Sequence, residues 1–211
     1  MDPLPYILEN KIIAIIRGVE AWKVLPIVQA LYTGGIRVVE ITLNSENPFE
    51  IIRELAIRMK GKTLIGAGTV MDIPSAEMAI QHGARFIISP MLDNNLIKFV
   101  KGQGLVSIPG AFTATEIVAA HWAGADIVKV FPAPDSRYIH DLTGPFPHIR
   151  FMPTGGIHEN NIAAFRMAGA VAFGVGSALV SAGQKISTDA LSQLTSKAEG
   201  LIHALTNHTE S

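Results

Sequence analysis

Short runs of β-branched and other apolar residues alternate along this chain with longer stretches in which apolar positions recur every three or four residues. The short runs predict strands over 12–16, 38–43, 63–67, 86–89, 106–108, 127–131, 150–153 and 171–174. They are apolar almost without interruption and are bounded by turn residues, the pattern of parallel strands buried on both faces. The longer stretches predict helices over 21–32, 48–60, 75–82, 94–101, 113–123, 135–142, 160–168 and 188–206. Gly34-Gly35, Gly83, Gly102, Gly124 and Gly169 stop several of them, and the next strand follows within a few residues. Eight β/α alternations predict an α/β fold of the (β/α)8 TIM-barrel type. A doubly wound sheet would have fewer units and a glycine fingerprint after its first strand, where this chain has Ile16-Arg17-Gly18. A helix at about 2–10 would close the bottom of the barrel, and the polar end at 207–211 would fray. No linker interrupts the pattern, so residues 1–211 are expected to form a single domain.

Composition narrows the field. With 211 residues, 48% of them hydrophobic, the chain has enough apolar material for one good core. The net charge is −1, with the two signs mixed along the sequence, so nothing predicts nucleic-acid or membrane-surface binding. No apolar run is long enough to span a bilayer, and the segment Met1-Asp-Pro-Leu-Pro-Tyr lacks the features of a signal peptide. A cytoplasmic location is the expectation. The absence of cysteine excludes disulfides and thiolate metal sites. His82, His121, His140, His148, His158, His203 and His208 are scattered without a metal-binding spacing and read as solvated or capping side chains. No metal site is expected. Trp22 and Trp122 fall in predicted helices and read as core or interface residues.

The candidate chemistry starts from Lys129, within Ile127-Val-Lys-Val-Phe131. An ammonium among such neighbours loses hydration and shifts toward the neutral amine, which attacks carbonyl carbons to form Schiff bases. The alternative is a lysine whose stem packs on apolar neighbours while its head reaches water. In a TIM barrel the site lies at the C-terminal ends of the strands. Arg17 ends the first strand there, Glu40 and Thr42 lie on the second, and Lys129 lies on the sixth. The period-two rule puts Ile127, Lys129 and Phe131 on one face, and Val38, Glu40 and Thr42 on one face. If those faces point inward, Arg17, Glu40 and Lys129 converge on one pocket; a merely structural Lys–Glu pair is the alternative. Gly155-Gly156 and Gly176-Ser177 fall after the last two strands, in the corner where such barrels bind phosphate. They could equally make tight turns and nothing more.

Several segments carry a family resemblance: Ala14-Ile-Ile-Arg-Gly18, Gly35-Ile-Arg-Val-Val-Glu-Ile-Thr-Leu43, Ile65-Gly-Ala-Gly-Thr-Val70 and Ile88-Ser-Pro90. Lys129-Val-Phe-Pro-Ala133, Gly144-Pro-Phe-Pro147, Pro153-Thr-Gly-Gly-Ile157 and Gly174-Val-Gly-Ser-Ala-Leu179 continue it. From about Lys11 to about Leu179 the chain resembles the bacterial 2-keto-3-deoxy-6-phosphogluconate (KDPG) aldolases, a family that includes 4-hydroxy-2-oxoglutarate (KHG) aldolases. The resemblance implies a class I aldolase barrel, usually a homotrimer, that needs no metal or organic cofactor. It implies Lys129 as the Schiff-base lysine and Glu40 as general acid/base. Arg17 and Thr69 would hold the pyruvoyl end, and Pro90, Phe131 and Thr154 would line the pocket. Gly155, Gly156, Gly176 and Ser177 would take the phosphate.

One position departs from the gluconate-type pattern, which often has an arginine where this chain has Asn44. Asn44-Ser45 is similar to relatives acting on the galactonate epimer, and Arg17 is then the expected carboxylate clamp. Ser89-Pro90 and residues 144–157 resemble the gluconate branch. The expected reaction is cleavage of KDPG to pyruvate and glyceraldehyde 3-phosphate, with KHG a further substrate giving pyruvate and glyoxylate. The rival substrate is 2-keto-3-deoxy-6-phosphogalactonate (KDPGal). Readings of other kinds are a phosphosugar epimerase or isomerase and a non-catalytic phosphosugar-binding barrel. The first leaves Lys129 without a carbonyl to attack; the second leaves Lys129 and Glu40 together unexplained.

Overall fold

Every apolar run predicted as a strand becomes one in the computed structural model, which describes residues 2–206. The strands are β1 (Ile12–Ile16), β2 (Val38–Thr42), β3 (Leu64–Gly68), β4 (Phe86–Ile88), β5 (Val106–Ile108), β6 (Gly110–Ala111), β7 (Val128–Val130), β8 (Phe151–Pro153) and β9 (Phe173–Val175). They pair in parallel, in the orders β5-β4-β3-β2-β1-β9 and β6-β7-β8. Two seams close these sheets into a barrel. One is Pro109, between β5 and β6, which has no N–H to give a ladder and whose carbonyl accepts from Lys129 N at 2.9 Å. The other is a bridge between Thr154 and Gly174, just beyond β8 and within β9. β5 and β6 are thus one stave broken at Pro109, a break the apolar pattern did not predict, and nine strands make eight staves.

The helices are α1 (Pro3–Asn10), α2 (Ala21–Thr33), α3 (Pro48–Arg58), α4 (Ile73–Gln81) and α5 (Asn94–Gly102), then α6 (Ala114–Trp122), α7 (Ser136–Thr143), α8 (Ile162–Met167) and α9 (Thr188–Thr206). The starts of α4 to α7, at the top of the barrel, are held by side-chain caps: Asp72 accepts from Ser75 N at 2.7 Å, and Thr113 and Glu116 form a capping box. These caps fix where those four strand-to-helix loops end. α9 crosses α2, with Thr195 Oγ1 donating to Ala30 O at 3.1 Å; a Cβ on Gly34 would overlap Ala198 there. Trp22 and Trp122 are not in the core: they are 63% and 82% exposed. Helical periodicity located them correctly on helices but does not say which face a neighbouring element covers. The expected fraying at 207–211 lies outside the described residues.

Parity along the strands divides the core into two layers. Ile13, Val38, Leu64, Phe86, Ile127 and Met152 form a cluster inside the barrel, and Ile7 of α1 seals it from below. Ala14, Val39, Ile65, Val128 and Val130 face the helices instead. Since Val38 and Ile127 point inward, Glu40 and Lys129, two residues further on, point inward above them. At the bottom of the barrel, Lys101 donates to both oxygens of Asp126 at 2.7 and 2.8 Å. Ser107 N donates to the same carboxylate at 2.9 Å, which ties α5, β5 and the start of β7 together.

Candidate active site

Three short strands bring an amine and a carboxyl into the upper half of the barrel. Lys129 is centred on β7, its backbone paired with Pro109 on one side and its strand with Val128–Phe151 and Val130–Pro153 on the other. It is 3% exposed, and its Nζ lies 4.8 Å from the Phe131 ring centroid. Glu40 is centred on β2 opposite Gly66 of β3, fully buried. Neither Glu40 oxygen has a hydrogen-bond partner among the described residues. The space for its carboxyl is made by a glycine: a Cβ on Gly68 would overlap Glu40 Oε1. Gly174 does the same for the Thr154 side chain, whose buried hydroxyl also lacks a protein partner.

Burial pushes the Glu40 carboxyl above the usual carboxylate range, and the positive charges of Lys129 and Arg17 only partly offset this. Burial likewise holds the Lys129 ammonium below the ordinary lysine value; the Glu40 charge opposes the shift and Arg17 adds to it. Both shifts move the pair the same way, toward a protonated carboxyl and a free amine. That is the state in which a lysine is a nucleophile and a carboxyl is a proton donor.

Above the pair opens a cavity of about 570 Å³ at the C-terminal ends of the strands. Arg17, Thr69, Pro90, Lys129, Phe131 and Thr154 border one part of it. Gly155, Gly156, Gly176 and Ser177 border the other. Glu40 does not reach the lining: it lies behind it, beside Gly68. Every site residue singled out from the sequence is therefore at this one place, in two tiers. Gly155 and Gly156 have φ of +95° and +71°, a consecutive left-handed pair that side-chain-bearing residues rarely adopt. Thr69 has φ of +57°, costly for a β-branched residue. There its Oγ1 accepts from Arg17 Nη2 at 3.1 Å. Among the described residues no three His, Asp or Glu side chains gather as a metal-holding cluster.

The comparisons with known proteins agree with this geometry. The family described as KDPG and KHG aldolase matches residues 6–195, nearly the whole chain. The chain belongs to the KDPG/KHG aldolase family. A 2-dehydro-3-deoxy-phosphogluconate aldolase of Treponema pallidum is 39% identical over 145 residues, 67% of this chain and 68% of its own. A probable 2-dehydro-3-deoxy-6-phosphogalactonate aldolase of Rhizobium meliloti is 37% identical over 185 residues, 86% of each chain. A solved structure described as native KDPGal superposes with a TM-score of 0.85 at 32% identity, covering 92% of this chain and 93% of its own. These relatives are described as aldolases, that is, carbon–carbon lyases.

The site also has residues that sequence reasoning missed. His158, read above as solvated or capping, borders the cavity next to the glycine corner. Asn161 holds that turn: its Oδ1 accepts from His158 N and its Nδ2 donates to Gly156 O, each at 2.8 Å. Gly68 was part of a quoted motif, but nothing in its sequence context says that a carboxyl from the next strand fills its side-chain space. Ser45 touches the site only through the backbone of another loop.

Proposed function

We propose that this family member is a Schiff-base aldolase that cleaves KDPG to pyruvate and glyceraldehyde 3-phosphate without a metal. The observation that carries the proposal is the buried Lys129 amine at the floor of a polar-rimmed cavity, with the unpartnered Glu40 carboxyl behind it. Lys129 Nζ attacks the C2 ketone to give a carbinolamine, which loses water to become an iminium. Base removes the C4-hydroxyl proton, the C3–C4 bond breaks, and its electron pair moves into the iminium to leave an enamine and the free aldehyde. Protonation at C3 and hydrolysis then release pyruvate and the amine. Glu40 carries the protons; because it sits behind the lining, it acts on the substrate through water or through the Lys129 nitrogen. Arg17 pairs with the substrate carboxylate and sets the ketone against Lys129. Thr69, Pro90, Phe131 and Thr154 enclose the pyruvoyl end, and the backbone of Gly155, Gly156, Gly176 and Ser177 binds the phosphate, whose remote binding energy orients the scissile bond.

The galactonate epimer is a second reading for one reason: Asn44-Ser45 stands where the gluconate-type pattern often has an arginine, and here Asn44 Oδ1 accepts from Arg17 Nη1 at 3.0 Å. KHG cleavage uses the same pyruvoyl half without the phosphate corner. A homotrimer in the cytoplasm is the assembly and location that go with this reading. Trapping with pyruvate and borohydride, followed by peptide mapping, tests the chemistry. One reduced pyruvate on Lys129 is expected, and folded protein that gains no adduct there would overturn the imine mechanism. Comparing kcat/KM for the two phosphorylated epimers and KHG then assigns the substrate.

A further inference from the structure

The Arg17 guanidinium lies at the rim of the site on an exposed loop, yet three hydrogen bonds fix that loop against its neighbours. Asn44 Oδ1 accepts from Arg17 Nη1 at 3.0 Å, and Thr69 Oγ1 accepts from Nη2 at 3.1 Å. Ser45 Oγ accepts from Gly18 N at 2.9 Å. The Ser45 hydroxyl is itself held at 2.9 Å by Thr42 Oγ1, whose own position is set by a bond to Ile16 O at 3.3 Å. Asn44 and Ser45 are therefore joined to both parts of Arg17-Gly18, the side chain of one and the backbone of the other. Neither borders the cavity, so neither is placed to touch a ligand.

We infer that Asn44 and Ser45 are positioning residues that set the direction of the Arg17 guanidinium for a carboxylate ligand. An arginine on a free loop loses side-chain and backbone freedom when it clamps a ligand, and that loss weakens binding. Here the loop is already ordered. Asn44 and Thr69 each take one terminal nitrogen, which leaves the guanidinium's other N–H groups for the ligand. The orienting groups are neutral acceptors: a carboxylate in the place of Asn44 would orient Arg17 equally well but cancel the charge that attracts the substrate. Gly18 has φ of +62°, and the Ser45 bond to its N–H holds the backbone in that left-handed turn.

The inference rests on the proposed role of Arg17, and one experiment separates the two. Lys129 adduct formation is measured against pyruvate concentration for wild type, Asn44→Ala, Ser45→Ala and Ser45→Thr, with thermal melting and cleavage kcat alongside. Loss of one such hydrogen bond is expected to raise half-saturating pyruvate about 3- to 10-fold in each alanine variant. The maximum extent of trapping and kcat should stay within about twofold, as for a contact used equally in ground and transition states. Ser45→Thr, which keeps the hydroxyl, should recover most of the loss. Half-saturation unchanged in both alanine variants, a threonine as defective as alanine, or a loss that only follows a lowered melting temperature would each overturn the positioning role. Absence of any adduct in wild type would instead remove the aldolase mechanism, and this role with it.

Discussion

Two of the lysine–carboxylate pairs among the described residues lie at opposite ends of the barrel, and they are built in opposite ways. At the bottom, Asp126 receives both the Lys101 ammonium and the backbone N–H of Ser107, so its charge is matched and its oxygens are used. At the top, Glu40 is fully buried with no hydrogen-bond partner, and Lys129 is almost as deeply enclosed. The lower pair joins three elements. The upper pair lies on separate strands, β2 and β7, and Lys129 borders an open cavity. A satisfied pair has little left to offer a ligand; an unsatisfied one keeps its proton and its lone pair available. On the proposed function, stability and reactivity are thus assigned to different ends of the same barrel.

The largest test of this contrast is Lys129→Met. It should lower cleavage roughly 10⁴- to 10⁶-fold, the scale for removing a covalent nucleophile, with the melting temperature retained or raised. An active Lys129→Met enzyme would show that the upper pair is structural like the lower one. Glu40→Gln comes next, with kcat expected to fall roughly 10²- to 10⁴-fold in steady-state assays. The same variant carries a pH signature. Glu40 has a folded pKa raised above its unfolded value, so its stabilising contribution is full below the unfolded value and is lost as pH rises through the folded one. Glu40→Gln should therefore melt higher than wild type near neutral pH, with the gain vanishing in acid; melting curves from pH 4 to 8 read this directly.

Gly68→Ala is predicted to cost about 10²-fold in kcat, because the new methyl displaces the Glu40 carboxyl by an atomic radius or more. Its KM for pyruvate should change little, which distinguishes a moved proton carrier from a damaged binding site. At the lower pair, Asp126→Asn should leave catalysis within about twofold and destabilise the fold by about 1–3 kcal/mol, since the amide keeps one acceptor oxygen but loses the charge and the second oxygen that Lys101 and Ser107 N share. A reduced melting temperature with full activity is the expected result; a catalytic loss as large as that of Glu40→Gln would erase the distinction between the two ends.

Much of this was legible in the sequence because parallel barrel strands are apolar on both faces, which makes a charged residue within them conspicuous. Lys129 and Glu40 stood out on that ground, and strand parity with Ile127 and Val38 sent both inward. What the sequence concealed depends on distance between strands or loops. Gly68 is needed because of a side chain on β2, and Ser45 matters through the N–H of Gly18, 27 residues earlier. The break at Pro109 hid inside an otherwise unremarkable run, since a proline at a strand end and one between two half-strands look alike in one dimension. Of the two readings of Trp22 and Trp122, core or interface, exposure removes the first, since among the described residues no element covers those helix faces.

Ile7 and the inner cluster below Lys129 have a kinetic meaning. A barrel plugged at its base has a single door. On the proposed chemistry, the three carbons bound to Lys129 lie at the far end of a blind passage and the aldehyde lies nearer the mouth. The aldehyde must then depart first and pyruvate last, and in the reverse direction pyruvate must already be inside before the aldehyde enters. Product-inhibition patterns should record that order, with pyruvate competing with substrate and the aldehyde not. On the proposed chemistry, the order of traffic is set by a plug at the opposite end of the barrel from the reacting amine.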